Sequence, residues 1–413
     1  MRKLIKGIPY ILLITGCLFL EISRRVSQLT LPQFWAEDGQ VWYADAYNHS
    51  FIHNLFLPDN GYLLVFERIV AQIVVVFPIR YAPLLFNVTA ALAGIVPVVL
   101  IVSKRFENLF SKQWQRLVVA FIFIGLPNSW EVSLGITNSN WKFGCAVLLV
   151  AISNKPTTKA WRIFDTAIVV ISGITGPFAI FILPVLLFRA VKEKNKWILW
   201  LSFLSLFTAL IQLHYLLESH SKLMPRGILF FLKESVGVFA GQAVFGALIG
   251  ANGYAHVYPN FHSFSLQLIV AAIGLAILTF IFIKGIFELK AMILYSLAIM
   301  LSGIATIRPT EYLSESFVMA PFSSARYEYI LLFTFAVGIF WVVVHEGRVL
   351  FRIVFLCLLW MVIFVAIPYD WFYPTMPNKN FNSYVAKFNS SKVGEKVVIP
   401  INPSPWKVVL IKH

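Results

Sequence analysis

Charge is scarce in this chain. Only 13% of its 413 residues are Asp, Glu, Lys or Arg, where a soluble domain carries about a quarter. Acids are the rarer sign, 19 against 34 Lys and Arg. With 59% hydrophobic residues and a mean hydropathy of +0.78, the shortage excludes an ordinary water-soluble globule and predicts an all-α polytopic membrane protein. Cysteine is almost absent. Cys17, Cys145 and Cys357 each sit inside an apolar stretch, which rules out a disulfide framework or a thiolate metal site. Also missing are a glycine-rich nucleotide loop, a Ser/His/Asp constellation and any repeat of 20 to 50 residues, so neither P-loop chemistry, a hydrolase triad nor a solenoid is indicated. The net charge of +15 could suggest nucleic acid, but the cations fall at the ends of apolar runs and form no basic stripe. Their expected partner is the bilayer.

Apolar runs lie at about 5–23, 81–102, 117–128, 141–154, 163–175, 177–190, 197–216, 263–284, 291–307, 329–344 and 351–367, which predicts eleven spans. Several fall short of the roughly 20 residues that a perpendicular helix needs. The first keeps a basic front but has Glu21 and an arginine pair where a signal peptide has a small-residue cleavage site, so it is expected to be retained. If residues 63–77 and 236–251 stay at the surface or re-enter, the segments 1–6, 103–116, 155–162, 189–196, 284–290 and 345–352 share one side and hold more than half of the Lys and Arg. The positive-inside rule makes that side cytoplasmic and predicts a cell (inner) membrane protein with its N-terminus inside. Asp165, beside Arg162, is expected to be solvated at that face. Two domains follow: a membrane domain over 1–367 with an outer loop at 27–80, and an outer tail over 368–413 whose segments KVVIPI and WKVVLI read as a β-hairpin.

The outer loop concentrates the scarce acids. Glu37, Asp38, Asp45 and Asp59 occur among Trp35, Trp42, Tyr43 and Tyr47, and carboxylates this close to a bilayer point to function. At 100° per residue, Asp38, Asp45 and His49 fall on one helical stripe, which predicts an acidic seam facing water from an interfacial helix. Asp45, His49 and His53 are also spaced i, i+4, i+8, a set that could hold a divalent cation or simply occupy a wet face. No other cofactor is indicated.

One helix, a large outer loop with adjacent acids Glu37 and Asp38, the element LPDNGYLLVFERIVAQ and an Arg-led helix from Arg80 to Ser103 together resemble the GT-C superfamily of membrane glycosyltransferases. That group includes the protein O-mannosyltransferases and the lipid A aminoarabinose transferases, and the likeness covers mainly residues 1–145. It implies a polyprenyl-phosphate-linked sugar as donor, a glycan, lipid or protein of the cell envelope as acceptor, and inversion at the anomeric carbon on the outer face. The Glu-Asp order departs from the Asp-Glu or Asp-Asp of better-known members.

Inverting transfer needs a carboxylate to take the acceptor hydroxyl proton, and cations to stabilise the departing phosphate. Asp38 is the first candidate base and Glu37 the second; the alternative for either is organising the loop. Arg80, Arg226, Lys233, Arg308 and Arg326 are the candidate phosphate ligands, each with the alternative of a snorkelling interfacial cation. Tyr62, Tyr327 and Trp141 are candidate sugar contacts, and tryptophans of this kind also anchor helices at the interface. The rival functional class is a transporter or lipid-linked-sugar flippase, which would place its ionisable groups near the bilayer midplane. A non-catalytic envelope scaffold is a third.

Overall fold

The computed structural model describes residues 2–133, 135–219, 227–306 and 319–413, with side chains from Ile11 onward. Among these residues six helices are long and apolar enough to cross a bilayer: Ile79–Val102, Lys196–Ser219, Ile228–Asn260, Phe264–Lys284, Phe287–Thr306 and Val349–Tyr369. Five coincide with expected runs. Four more runs form shorter apolar helices, Ile11–Ser23, Gln113–Ile124, Ser139–Ile152 and Tyr329–His345. The last two lie in Lys159–Ile174 and Phe178–Glu193. Eleven full-length spans are therefore not what is found. Ser139–Ile152 is buried along its whole length, and Tyr329–His345 is buried from Tyr329 to Val342. Helices enclosed by protein need not match the thickness of the lipid, which is why these can be short.

Polar clamps define the two ends of the bundle. At one end Arg24 donates to the carbonyls of Ile124 (2.5 Å), Leu126 (3.0 Å) and Asp370 (3.3 Å), while the Asn128 amide joins Gln242 Oε1 at 2.9 Å. At the other end Arg105 grips Asp165 with both guanidinium nitrogens, at 2.5 and 3.0 Å. Asn108 reaches Glu288 at 3.0 Å and Arg189 reaches the Ala151 carbonyl at 2.6 Å. Asp165 is thus buried in an ion pair, not solvated. The second end gathers parts of the segments 103–116, 155–162, 189–196, 284–290 and 345–352, which the Lys and Arg distribution assigns to one side, and the first gathers the acidic loop, residues 125–133 and 135–140, and the tail.

Ile228–Asn260 is long enough to cross; it is tied down at the first end, and Phe239 and Val244 also reach Gly274, midway along Phe264–Lys284. Lys233 lies over the Phe264 ring, Gln242 meets Asn128, and the backbone N–H groups of Ala251 and Asn252 donate to Asp370. Gly250, with φ +76°, breaks the helix where any Cβ would lie 2.8 Å from the Asp370 carboxylate. Val65–Val74 has ten residues, about 15 Å of helix and too little to span. Its start is tied to the helix ends at Thr175 and Gln212.

The tail does not stand apart. Lys396–Pro400 and Lys407–Ile411 form the expected antiparallel pair, with Val398 opposite Val409. Alternation buries Val397, Ile399, Val408 and Leu410, and these pack with Phe34, Trp42, Tyr43 and Phe86 into one hydrophobic cluster. Asn48 completes the strand edge, donating to the Val409 carbonyl at 2.9 Å and accepting from the Ile411 N–H at 3.1 Å. The outer loop and the tail are therefore one body seated on the first end of the bundle.

Candidate functional site

Asp38 opens a π-helix, Asp38–Tyr43, that continues as the α-helix Ala44–Asn48. The wider i→i+5 turn changes the helical phase, and the single acidic stripe is lost. Asp38 is buried, Asp45 turns to Arg68 at 3.2 Å, and His49 is exposed. Trp42 and Tyr43 are core residues, not interface anchors, at 0% and 1% exposure. Their burial under the hairpin is what turns the helix inward. Arg68, itself 1% exposed, also donates to Asn54 and covers the Trp42 ring. The expected acidic seam is thus an internal ion pair.

The Asp38 carboxylate is held chiefly by Thr137, with the Ile136 backbone beside it. Its Oδ1 accepts from the Thr137 N–H at 3.0 Å and the Thr137 hydroxyl at 2.6 Å, while that hydroxyl accepts from Trp42 Nε1 at 2.9 Å. Gly135 borders Oδ2 so closely that a Cβ there would lie 2.1 Å from it; only a residue with no side chain leaves that oxygen clear. Burial pushes the Asp38 pKa up to about 7, against the pull of the two Thr137 hydrogen bonds. A carboxyl in that range can exchange a proton at neutral pH.

Glu37 is half-buried beside Asp38 and feels the charges of Arg326, Asp59 and Glu131. Burial raises its pKa too, with Arg326 opposing. Arg326 is engaged at two points by Glu131: its backbone N–H donates to Oε2 at 3.1 Å and its guanidinium to Oε1. Tyr62 and Tyr327 lie within electrostatic reach of the same arginine, and Arg326 covers the Tyr327 ring at 5.0 Å. The turn that delivers Tyr62 closes with reciprocal backbone bonds between Asp59 and Tyr62, and puts Asn60 at φ 51° and Gly61 at φ 88°, the signs that a type I′ turn requires. Trp141 touches Tyr327 edge-on at 5.5 Å but is 6% exposed and wedged against Phe178. It supports the tyrosine and presents no open face for stacking.

Of the other predicted cations, Arg80 and Lys233 are elsewhere. Arg80 is exposed and folds over Tyr81, and Lys233 is exposed beside Phe264. Arg226 and Arg308 lie outside the described residues. His49 and His53 stand ring to ring at 5.4 Å on the surface, Asp45 is committed to Arg68, and no group of three or more His, Cys, Asp or Glu among the described residues is arranged to hold a metal. Asp45, His49 and His53 are therefore not brought together as ligands.

Several residues of the site carried no signal of their own in the sequence. Thr137 and Glu131 belong to the segment LPNSWEVSLGITNSNW, which could be placed on this face, but nothing in its letters marked them as partners of Asp38 and Arg326. Glu67 and Glu328 are fully buried, with neither carboxylate oxygen hydrogen-bonded among the described residues. Burial raises both pKa values well above the carboxylate range, and each lies close to the site: Glu67 feels Asp38, and Glu328 feels Glu131 and Arg326. No protein-family model, curated protein or solved structure matches this chain.

Proposed function

We propose that this protein is a membrane glycosyltransferase of GT-C type, which moves a sugar from a polyprenyl-phosphate carrier to an acceptor hydroxyl of the cell envelope. The observation that carries the reading is Asp38: a buried carboxylate in a loop helix, oriented by Thr137, with burial raising its pKa to about 7, beside Glu37 and a tyrosine-flanked arginine. In the reaction Asp38 takes the acceptor proton as the acceptor oxygen bonds to C1 of the sugar. The bond from C1 to the phosphate oxygen breaks from the opposite face, and the phosphate departs with the electron pair. Arg326 meets that charge, in exchange for Glu131. Glu37 is the second candidate for the base, being nearer the surface.

A proton-coupled transporter or flippase is the second reading, favoured by Glu67 and Glu328. Buried acids with no salt-bridge partner among the described residues are the kind of group that carries protons in such proteins. Purified protein reconstituted with a polyprenyl-phosphate sugar and envelope acceptors separates the two. The wild type transfers sugar, and a variant with both Glu37→Gln and Asp38→Asn does not. Wild-type turnover by the double variant overturns the mechanism.

A further inference from the structure

A crevice opens at the first end of the bundle, close enough to the Asp38 site for Arg25 in its wall to feel the Asp38 charge. It is lined by Glu21, Arg25, Gln28, Asn87, Ala91 and Ser133. Those from Glu21 to Gln28 come from one face of the first helix and its short continuation, Val26–Thr30, and Asn87 and Ala91 are one turn apart on Ala82–Val102. Its walls are fixed: Asn87 Nδ2 donates to the Gln28 carbonyl at 2.9 Å, and Glu21 pairs with Lys142 at 3.3 Å.

Two polar groups in this crevice lack partners. Arg25 is 9% exposed; its guanidinium donates to the Ser133 carbonyl and lies over the Tyr373 ring, but Nε has no hydrogen-bond partner among the described residues. Gln28 is 7% exposed and its Oε1, an acceptor, is likewise unpaired. A buried donor and a buried acceptor left open in one crevice are costly, and burial lowers the Arg25 pKa to about 9. Glu21 and Asp38 already place negative charge near Arg25; what its Nε lacks is a hydrogen-bond acceptor, which a phosphate oxygen supplies, and what Gln28 Oε1 lacks is a donor, which a hydroxyl or ammonium supplies. Around them Val26, Leu31, Val88 and Leu92 are exposed apolar side chains, a surface suited to acyl chains.

We infer that this crevice binds the headgroup of a bilayer phospholipid, with its phosphodiester on Arg25, the hydroxyl or ammonium of the headgroup on Gln28 Oε1, and the acyl chains along Val88 and Leu92. A sugar-phosphate carrier offers the same phosphodiester and hydroxyl chemistry, so the source is a matter for the test. The inference does not rest on the transferase reading, because lipid retention is measured without turnover.

Full-length protein is purified in detergent, and lipid that stays bound is measured by native mass spectrometry after exposure to phosphatidylethanolamine, phosphatidylglycerol, diacylglycerol or a polyprenyl phosphate. The wild type retains one of the two phospholipids, and Arg25→Gln lowers retention roughly tenfold or more, the loss of one charge-assisted bond. Gln28→Leu weakens it further for the same lipid. Ala91→Phe, which fills the crevice and leaves Arg25 in place, removes the bound lipid without the folding risk of a lost arginine. Equal retention by the wild type and Ala91→Phe, or retention of diacylglycerol as well as phospholipid, overturns the site. Displacement of both phospholipids by an equimolar amount of the polyprenyl phosphate overturns the bilayer lipid as its occupant.

Discussion

Replacing Asp38 with Asn tests whether its carboxylate is chemical or structural, because the two accounts predict opposite effects on stability. The Asn side-chain oxygen can still accept from the Thr137 N–H and hydroxyl, so the anchoring bonds survive. What the substitution removes is a buried ionisable group whose folded pKa of about 7 lies above its ordinary 3.8. A group raised in this way leaves stability intact below about pH 4. As pH rises, the unfolded chain ionises first, stability falls, and the loss is complete once pH passes the folded value. At about 1.4 kcal/mol per unit over roughly three units, the cost of keeping Asp38 at alkaline pH is on the order of 4 kcal/mol. Asp38→Asn therefore raises the melting temperature at pH 8.5, and the gain disappears near pH 4. Over the same range sugar transfer by the wild type rises through about pH 7 as the base deprotonates, and the variant loses about 10² to 10⁴-fold in turnover with little change in donor affinity. A variant that is less stable at pH 8.5 makes the carboxylate an anchor. A stable variant with wild-type turnover removes Asp38 from the chemistry.

Single cysteines at Ser50 and Ser390 react with an impermeant thiol reagent in intact cells while one at Ser111 does not; labelling at Ser111 inverts the assignment of the two ends. Arg326→Gln weakens donor binding by about 1.5 to 3 kcal/mol, the worth of a charge-assisted bond, and leaves acceptor binding nearly unchanged in separate titrations; equal losses on both make the Glu131 pair purely architectural. Asp370→Ala strips the acceptor from the backbone N–H groups of Asn128, Ala251 and Asn252, and with two or more buried donors orphaned it destabilises by at least about 3 kcal/mol, read as a lowered melting temperature. An unchanged melting temperature would mean that these groups find other partners.

Composition alone fixed the class of this protein, because a chain with so few charges and such long apolar runs has no stable place except a bilayer. The grouping of several basic loops at one end of the bundle was legible from the placement of Lys and Arg. Lys and Arg avoid translocation, and the segments they marked do meet at one end of the bundle, where Arg105, Asp165, Asn108 and Glu288 clasp. The short hairpin was legible from alternating Val and Ile. Apolar periodicity could not give the packing of Ile228–Asn260; only the tertiary structure joins it to Phe264, Asn128 and Asp370 at one end and to Gly274 deeper in the bundle. It could not give the orientation of the acidic loop either. A period of 3.6 residues was the natural assumption for Asp38, Asp45 and His49, and a π-helical turn, set by the packing of Trp42 and Tyr43 under the tail about 360 residues further along the sequence, broke it. The partners that define each acid, Thr137 for Asp38, Arg68 for Asp45 and Glu131 for Arg326, are separated from them by 99, 23 and 195 residues. Hydrogen bonding across such distances depends on where helices dock, and local sequence carries no record of it. The sequence supplied the carboxylates, and the tertiary structure decided which is buried and which is paired.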